Sequence, residues 1–438
     1  MCSSWGRHEG ATLLRRSLIL CLGATAIIAQ ASIQPAVAIQ RHASSTKSWT
    51  SITAPLPMLP NGQVATSGTL LSTSCSSTSF CVAVGQASAG NDRYPLIETS
   101  TGASWTASVA PLPPAPSAGE SSGLVSVSCG SDGACAAVGW YVNTDSQQAG
   151  LLETLSGGVW TATEASLPPS AVGVVNLWSV SCVAGTTSCL AVGDMFTTTF
   201  VPLMYSLTAG GWQLLTAPPM PSNSSSLGQL SAVSCPASGI CVVVGTYYDQ
   251  NNAPQGLILI SSSDGWKAEQ APLPQSADEI AGQRFGVLQS VDCVSADSCI
   301  AGGAYSNKAG YGDDALLVSL ASGAWTPLQA PVPPGTSPKI SGADIQGISC
   351  VAVQQCVAAG TIYQDINGDE SGMLLTQSAT GWTAATAPVP ITAGSRLLTA
   401  HRSIRNLIAL SGISCTSSRS CRAVGRDGKH PLIERKRQ

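Results

Sequence analysis

The sequence predicts an all-β chain: a seven-bladed β-propeller whose blades are four-stranded antiparallel sheets, with the ring closed by the N-terminal strand. Three observations carry this reading. A unit typified by L-x-S-V-S-C, then five or six residues, then C-x-A-V-G recurs seven times, its first cysteines 54, 53, 53, 58, 57 and 65 residues apart. Gly and Pro supply 44 and 27 of the 438 residues while charged residues make up 10%, a turn-rich composition with enough hydrophobic residues (44%) to build a large core. Seven tryptophans recur beside the seven cysteine pairs, one step out of phase with them.

Each unit yields up to four strands. The first ends in cysteine, as in Leu177-Trp178-Ser179-Val180-Ser181-Cys182, and the second begins at the next cysteine, as in Cys241-Val242-Val243-Val244-Gly245. The short gap between them fits a hairpin. The third is a brief apolar run such as Leu203-Met204 or Leu257-Ile258, and the fourth carries Trp105, Trp160, Trp212, Trp266, Trp325 or Trp382. Connectors such as Ala110-Pro111-Leu112-Pro113-Pro114 follow, where proline suits an extended crossing between blades. Trp49 precedes every cysteine pair, and the last pair has no tryptophan strand after it, so the N-terminal strand should complete the seventh blade and remove an open edge.

The cysteines pair as Cys75/Cys81, Cys129/Cys135, Cys182/Cys189, Cys235/Cys241, Cys293/Cys299, Cys350/Cys356 and Cys415/Cys421, leaving only Cys2 and Cys21 of the 16. Fixed pairs in an exported chain read as disulfides, here between the first two strands of each blade. Zinc is the rival, but each pair stands alone with no histidine beside it. Residues 1–38 read as a signal peptide: Arg15-Arg16, an apolar stretch from Ser17 to Ala29, then a small-x-small site at Ala36-Val37-Ala38. Residues 39–438 form the propeller. The apolar stretch is short for a membrane span, so none is expected in the mature chain, which is placed outside the cytoplasm, secreted or at the cell surface.

The unit resembles the Asp-box (BNR) propellers, including their sialidase-like members, over about residues 45–438. Their repeat runs apolar-x-x-V-x-F, G-W-A-V-G, a short apolar strand, then S-x-D-x-G-x-x-W; here the cysteine pair stands at the aromatic positions of the first two strands. Ser262-Ser263-Asp264-Gly265-Trp266 keeps the aspartate, whereas Thr101-Gly102-Ala103-Ser104-Trp105 and Ser156-Gly157-Gly158-Val159-Trp160 do not. The resemblance implies the fold. A sialidase would also need an arginine triad, and most arginines here crowd into the C-terminal stretch from Arg396 onward. Only His42, His401 and His430 follow the signal, too few and misplaced for a copper site.

Net charge is −4 with no basic stripe, which argues against nucleic acid as a partner. Trp140, Tyr141, Tyr247, Tyr248, Tyr305 and Tyr363 lie just after the second-strand glycine, where they either form an aromatic rim for a ligand or pack between blades. Glu98, Glu153 and Glu434 share one third-strand position and are expected to form a solvated acidic patch. Asp365, Asn367 and Asp369 alternate as calcium ligands do, with a polar hairpin tip as the alternative; no other cofactor is implied. The sequence reads as a non-catalytic binding or scaffold module for a glycan or extracellular protein. The alternative is a carbohydrate-active enzyme, a sialidase-like hydrolase or a lyase. An enzyme should gather ionisable groups at one channel mouth, and a binder should show an aromatic and polar rim.

Overall fold

A computed structural model describes residues 49–102, 104–114, 121–168, 173–277, 285–307, 313–336, 342–363, 370–390 and 408–436. The signal segment and the Asp365–Asn367–Asp369 loop lie outside them. Seven four-stranded antiparallel sheets form the ring. Blade three is representative, with strands Val174–Cys182, Cys189–Phe196, Phe200–Thr208 and Gly211–Leu214 in that spatial order. Blade seven combines Ile408–Ser417, Ser420–Asp427 and His430–Lys436 with the N-terminal strand Trp49–Thr53, whose Trp49 pairs with Lys436 and Thr53 with Leu432. The expected closure is what the chain does. Among the described residues no helix is long and apolar enough to cross a membrane.

Alternation along the second and third strands explains why the chain has seven small cores. Each blade lies between two others, so both faces of its middle strands are covered and odd and even residues bury against different neighbours. Leu152 packs against blade three, whereas Leu151 and Leu155 pack against blade one. Trp49 joins the cluster between blades six and seven. The alanines of most Ala-Pro connectors, Ala54, Ala110, Ala271, Ala330 and Ala387, are also buried, and Ala110 N–H donates to Pro95 O at 2.9 Å, tying the fourth strand's end to the third.

All seven cysteine pairs are disulfides within a blade, with Cα–Cα distances from 3.9 to 4.1 Å. The spacing foretold the pairing but not where the sulfurs lie. A free-standing hairpin would leave both cysteines accessible to solvent, and the bridges of this ring differ from that picture. Cys81, Cys135, Cys299, Cys356 and Cys421 are only 1–4% exposed, and Cys189 and Cys241 are buried too. Of their partners, Cys75, Cys129, Cys182, Cys350 and Cys415 are half-buried, and Cys235 and Cys293 are buried. The physical reason is that neighbouring blades cover the second strand on both faces, whereas the first strand borders the channel. Cys135, Cys299, Cys356 and Cys421 accordingly belong to the hydrophobic clusters between blades. These cysteines are core residues, not members of an accessible site.

Above each bridge the first strand carries a β-bulge, for example between Leu177 and Ser179, and the same shift recurs in every blade. The bulge accounts for the glycine of C-x-A-V-G. A Cβ on Gly85 would stand 1.9 Å from Thr69 O, and one on Gly139 2.0 Å from Gly123 O, with the other five glycines equally enclosed. No side chain fits there.

The glutamates depart from expectation. Glu98, Glu153 and Glu434 are 0% exposed, and among the described residues their carboxyl oxygens have no hydrogen-bond partner. A third strand belongs to the interior of the ring, because only the fourth strand reaches its circumference. Glu98 shares a face with Leu96, toward blade seven; Glu153 shares one with Leu151, toward blade one; Glu434 shares one with Leu432, toward blade six.

Candidate functional site

The first strands of all seven blades line a central channel of about 680 Å³. Its waist follows from the S-V-S-C motif. The serine before each cysteine accepts a hydrogen bond from the next blade's cysteine N–H: Ser74 from Cys129 (3.0 Å), Ser128 from Cys182 (2.9 Å), Ser181 from Cys235 (3.0 Å), Ser234 from Cys293 (3.0 Å) and Ser349 from Cys415 (3.0 Å). Asp292 stands in for serine in blade five and accepts from Cys350 N–H at 2.6 Å. Ser414 accepts from Cys75 N–H at 2.9 Å and closes the girdle across the seam. The other serine of the motif repeats the device in three blades, with Ser72, Ser126 and Ser179 each accepting at 3.2 Å. Most waist hydroxyls thus hold blades together.

One mouth is chemically different. The bulge turns an extra residue into the channel from every blade, and these are Leu71, Val125, Trp178, Ser231, Gln289, Gln346 and Ser411. Gln86 and Trp140 join them from second strands, and Gln229 from the first strand of blade four. Gln86 reaches across Gly123 of blade two, where a Cβ would lie 2.6 Å from its side chain. Trp178 is 38% exposed, and its indole N–H donates to the Asp194 carboxylate, which is fully buried. Burial raises the Asp194 carboxyl to about 6, opposed by that indole bond. The pair fixes one indole face in the mouth.

Asp292 is the one ionisable side chain among the described residues lining the channel. Burial raises it to about 6, against the bonds from Cys350 N–H, the Ser234 hydroxyl at 3.2 Å and its neighbour Cys293 N–H at 3.0 Å. Its oxygens are occupied. Burial likewise lifts Glu98, Glu153 and Glu434 to about 8. These three hold their protons at neutral pH, enclosed between blades and away from the channel lining.

Of the aromatic residues singled out in the sequence, only Trp140 lines the channel. Tyr141, Tyr247 and Tyr305 are buried between blades, which follows from their place one residue past the channel-facing position, on the opposite face of the strand. Tyr141 donates to Glu164, Tyr247 donates to Asn223 at 3.0 Å, and Tyr305 lies 2.8 Å from the Ser276 hydroxyl. Tyr248 and Tyr363 are half-buried; Tyr363 OH is 3.4 Å from Asp344, and burial with the neighbouring carboxylates raises it to about 12. These tyrosines do not form one rim with Trp140. Among the described residues no three His, Cys, Asp or Glu groups gather as a metal site. The bulge residues that the sequence reading missed sit at the variable x of L-x-S-V-S-C, and that variability within a constant frame was their only signal.

No protein-family model matches this chain, and no curated protein matches it. Similar solved structures include AofleA from Arthrobotrys oligospora, 11% identical over 78% of this chain and 90% of its own, with a TM-score of 0.44. The Aleuria aurantia lectin, a six-bladed propeller described with a fucose recognition mode, is 14% identical over 78% of this chain and 100% of its own, at 0.41. A Trypanosoma rangeli sialidase is 12% identical over 88% of this chain and 59% of its own, at 0.42. At such identities nothing about ligands follows for this chain.

Proposed function

We propose that this chain is an exported, non-catalytic propeller that binds glycans at the Trp140–Trp178 mouth of its channel. The observation that carries this reading is the pairing of two indoles from adjacent blades with amide side chains around the same opening. Indoles stack on the C–H faces of sugars, and amides satisfy hydroxyls, which both donate and accept. Groups borne on bulges of a rigid ring vary without disturbing the fold, so specificity can reside there. Seven disulfides suit an oxidising compartment and support export through the signal read at residues 1–38. An extracellular protein is the alternative partner, and Asp-box ancestry the proposed origin of the repeat. The enzyme reading calls for convergent ionisable groups, and the described channel lining offers one occupied carboxylate.

Binding of residues 39–438 to an oligosaccharide array, compared with a Trp140→Ala, Trp178→Ala variant, tests the proposal. The expected loss is at least about tenfold, equivalent to about 1.4 kcal/mol, at an unchanged melting temperature. Undiminished binding by a folded variant moves the site elsewhere.

A further inference from the structure

The channel wall narrows the ligand class, granted the glycan-binding reading above. Every ionic group but one is absent from its described lining, and that one, Asp292, has both oxygens engaged by Cys350 N–H, Cys293 N–H and the Ser234 hydroxyl. No lysine, arginine or histidine lines it among the described residues. A carboxylate or sulfate entering this mouth would shed water without meeting a cation, which is costly for a charged group. An ammonium would find no free carboxylate.

The available polar groups are amides. Gln229 is half-buried and Gln289 is exposed in the lining. Gln346 gives its N–H to Asp344 at 2.9 Å, which orients the amide within the channel lining. Each amide offers both a donor and an acceptor, the complement of a hydroxyl. The arrangement is also two-sided: Trp140 and Trp178 belong to blades two and three, whereas Gln289 and Gln346 belong to blades five and six, across the ring. Deeper in, each of these serine hydroxyls already accepts a girdle N–H, so the groups of the mouth are the ones with the most polar capacity to offer.

We infer that the ligand is the uncharged end of a glycan chain, taken end-on between the indole wall and the amide wall. Sialylated, uronic and sulfated ends are refused for want of a cation. The experiment titrates the full mature chain with neutral oligosaccharides and with the same backbones capped by sialic acid, uronic acid or sulfate. Neutral ligands should bind in a Trp140- and Trp178-dependent way, with affinity changing less than about twofold when salt shortens the Debye length from ~30 Å to ~3 Å. Gln289→Lys should gain about tenfold for the acidic caps, a gain that high salt abolishes. Tryptophan-dependent binding of acidic ends by the wild type overturns the inference and leaves the glycan-binding function standing. Binding of no sugar removes both. A folded Gln289→Lys variant that gains nothing for acidic caps also overturns it, because the sugar then does not meet that amide.

Discussion

Glu98, Glu153 and Glu434 occupy a register that Tyr205, Leu259, Val318 and Leu375 fill in the other four blades, opposite an alanine in most of them. Three carboxyls in apolar positions make stability depend on pH. Burial raises each from 4.5 to about 8. Below pH 4.5 both folded and unfolded chains hold the proton, and their contribution is fully present. Between 4.5 and about 8 the unfolded chain releases the proton first, so stability falls by up to about 1.4 kcal/mol per pH unit for each group. Glu153→Leu should therefore stabilise the protein, with a gain larger at pH 8 than at pH 4, measured by denaturant unfolding at both. An equal gain at the two values would mean that the carboxyl does not change its ionisation on folding.

The working element is the inner hairpin, in which a disulfide, a bulge and a glycine occupy fixed places. Each disulfide closes a loop of a few residues, and the chain-entropy contribution is roughly 2 kcal/mol apiece. Removing one bridge with Cys182→Ala and Cys189→Ala should lower the unfolding free energy by about that amount while the ring stays folded, because the Ser128 and Ser181 bonds to neighbouring blades remain. Loss of all ordered structure from this one change would show that the blade, not the girdle, holds the ring. Much of the hairpin was legible: cysteine spacing gave the pairing, and Trp49 counted against the last pair gave the closure. The bulge was not, because an extra residue in a strand leaves no mark on an alternating pattern until the partner's register is known. Without it Gln289 and Gln346 read as ordinary strand residues. The glutamates were misplaced, the choice between rim and packing stayed open for the tyrosines, and the depth of cysteines such as Cys81 and Cys421 went unseen, for a related reason. A blade buried on both faces hides residues that alternation alone would send to solvent.

At the scale of the molecule, closure is written twice. The backbone closes at the outer edge of blade seven, where Trp49–Thr53 pairs with His430–Lys436, and a side chain closes it at the channel, where Ser414 of blade seven accepts from Cys75 N–H of blade one. Lys436 Nζ lies 6.0 Å from the Trp49 ring centroid and covers that outer strand. A ring sealed at both radii holds its seven first strands at fixed spacing, and that rigidity lets Trp140, Trp178 and the amides act as one surface although they come from different blades. The most direct measurement is the crystal structure of the mature protein with a neutral oligosaccharide that it binds in solution. The expected result is a terminal sugar ring in the channel mouth, its C–H face on Trp178 or Trp140 and its hydroxyls within about 3 Å of Gln289 or Gln346. A sugar seated between blades at the outer circumference, with the mouth empty, would contradict it.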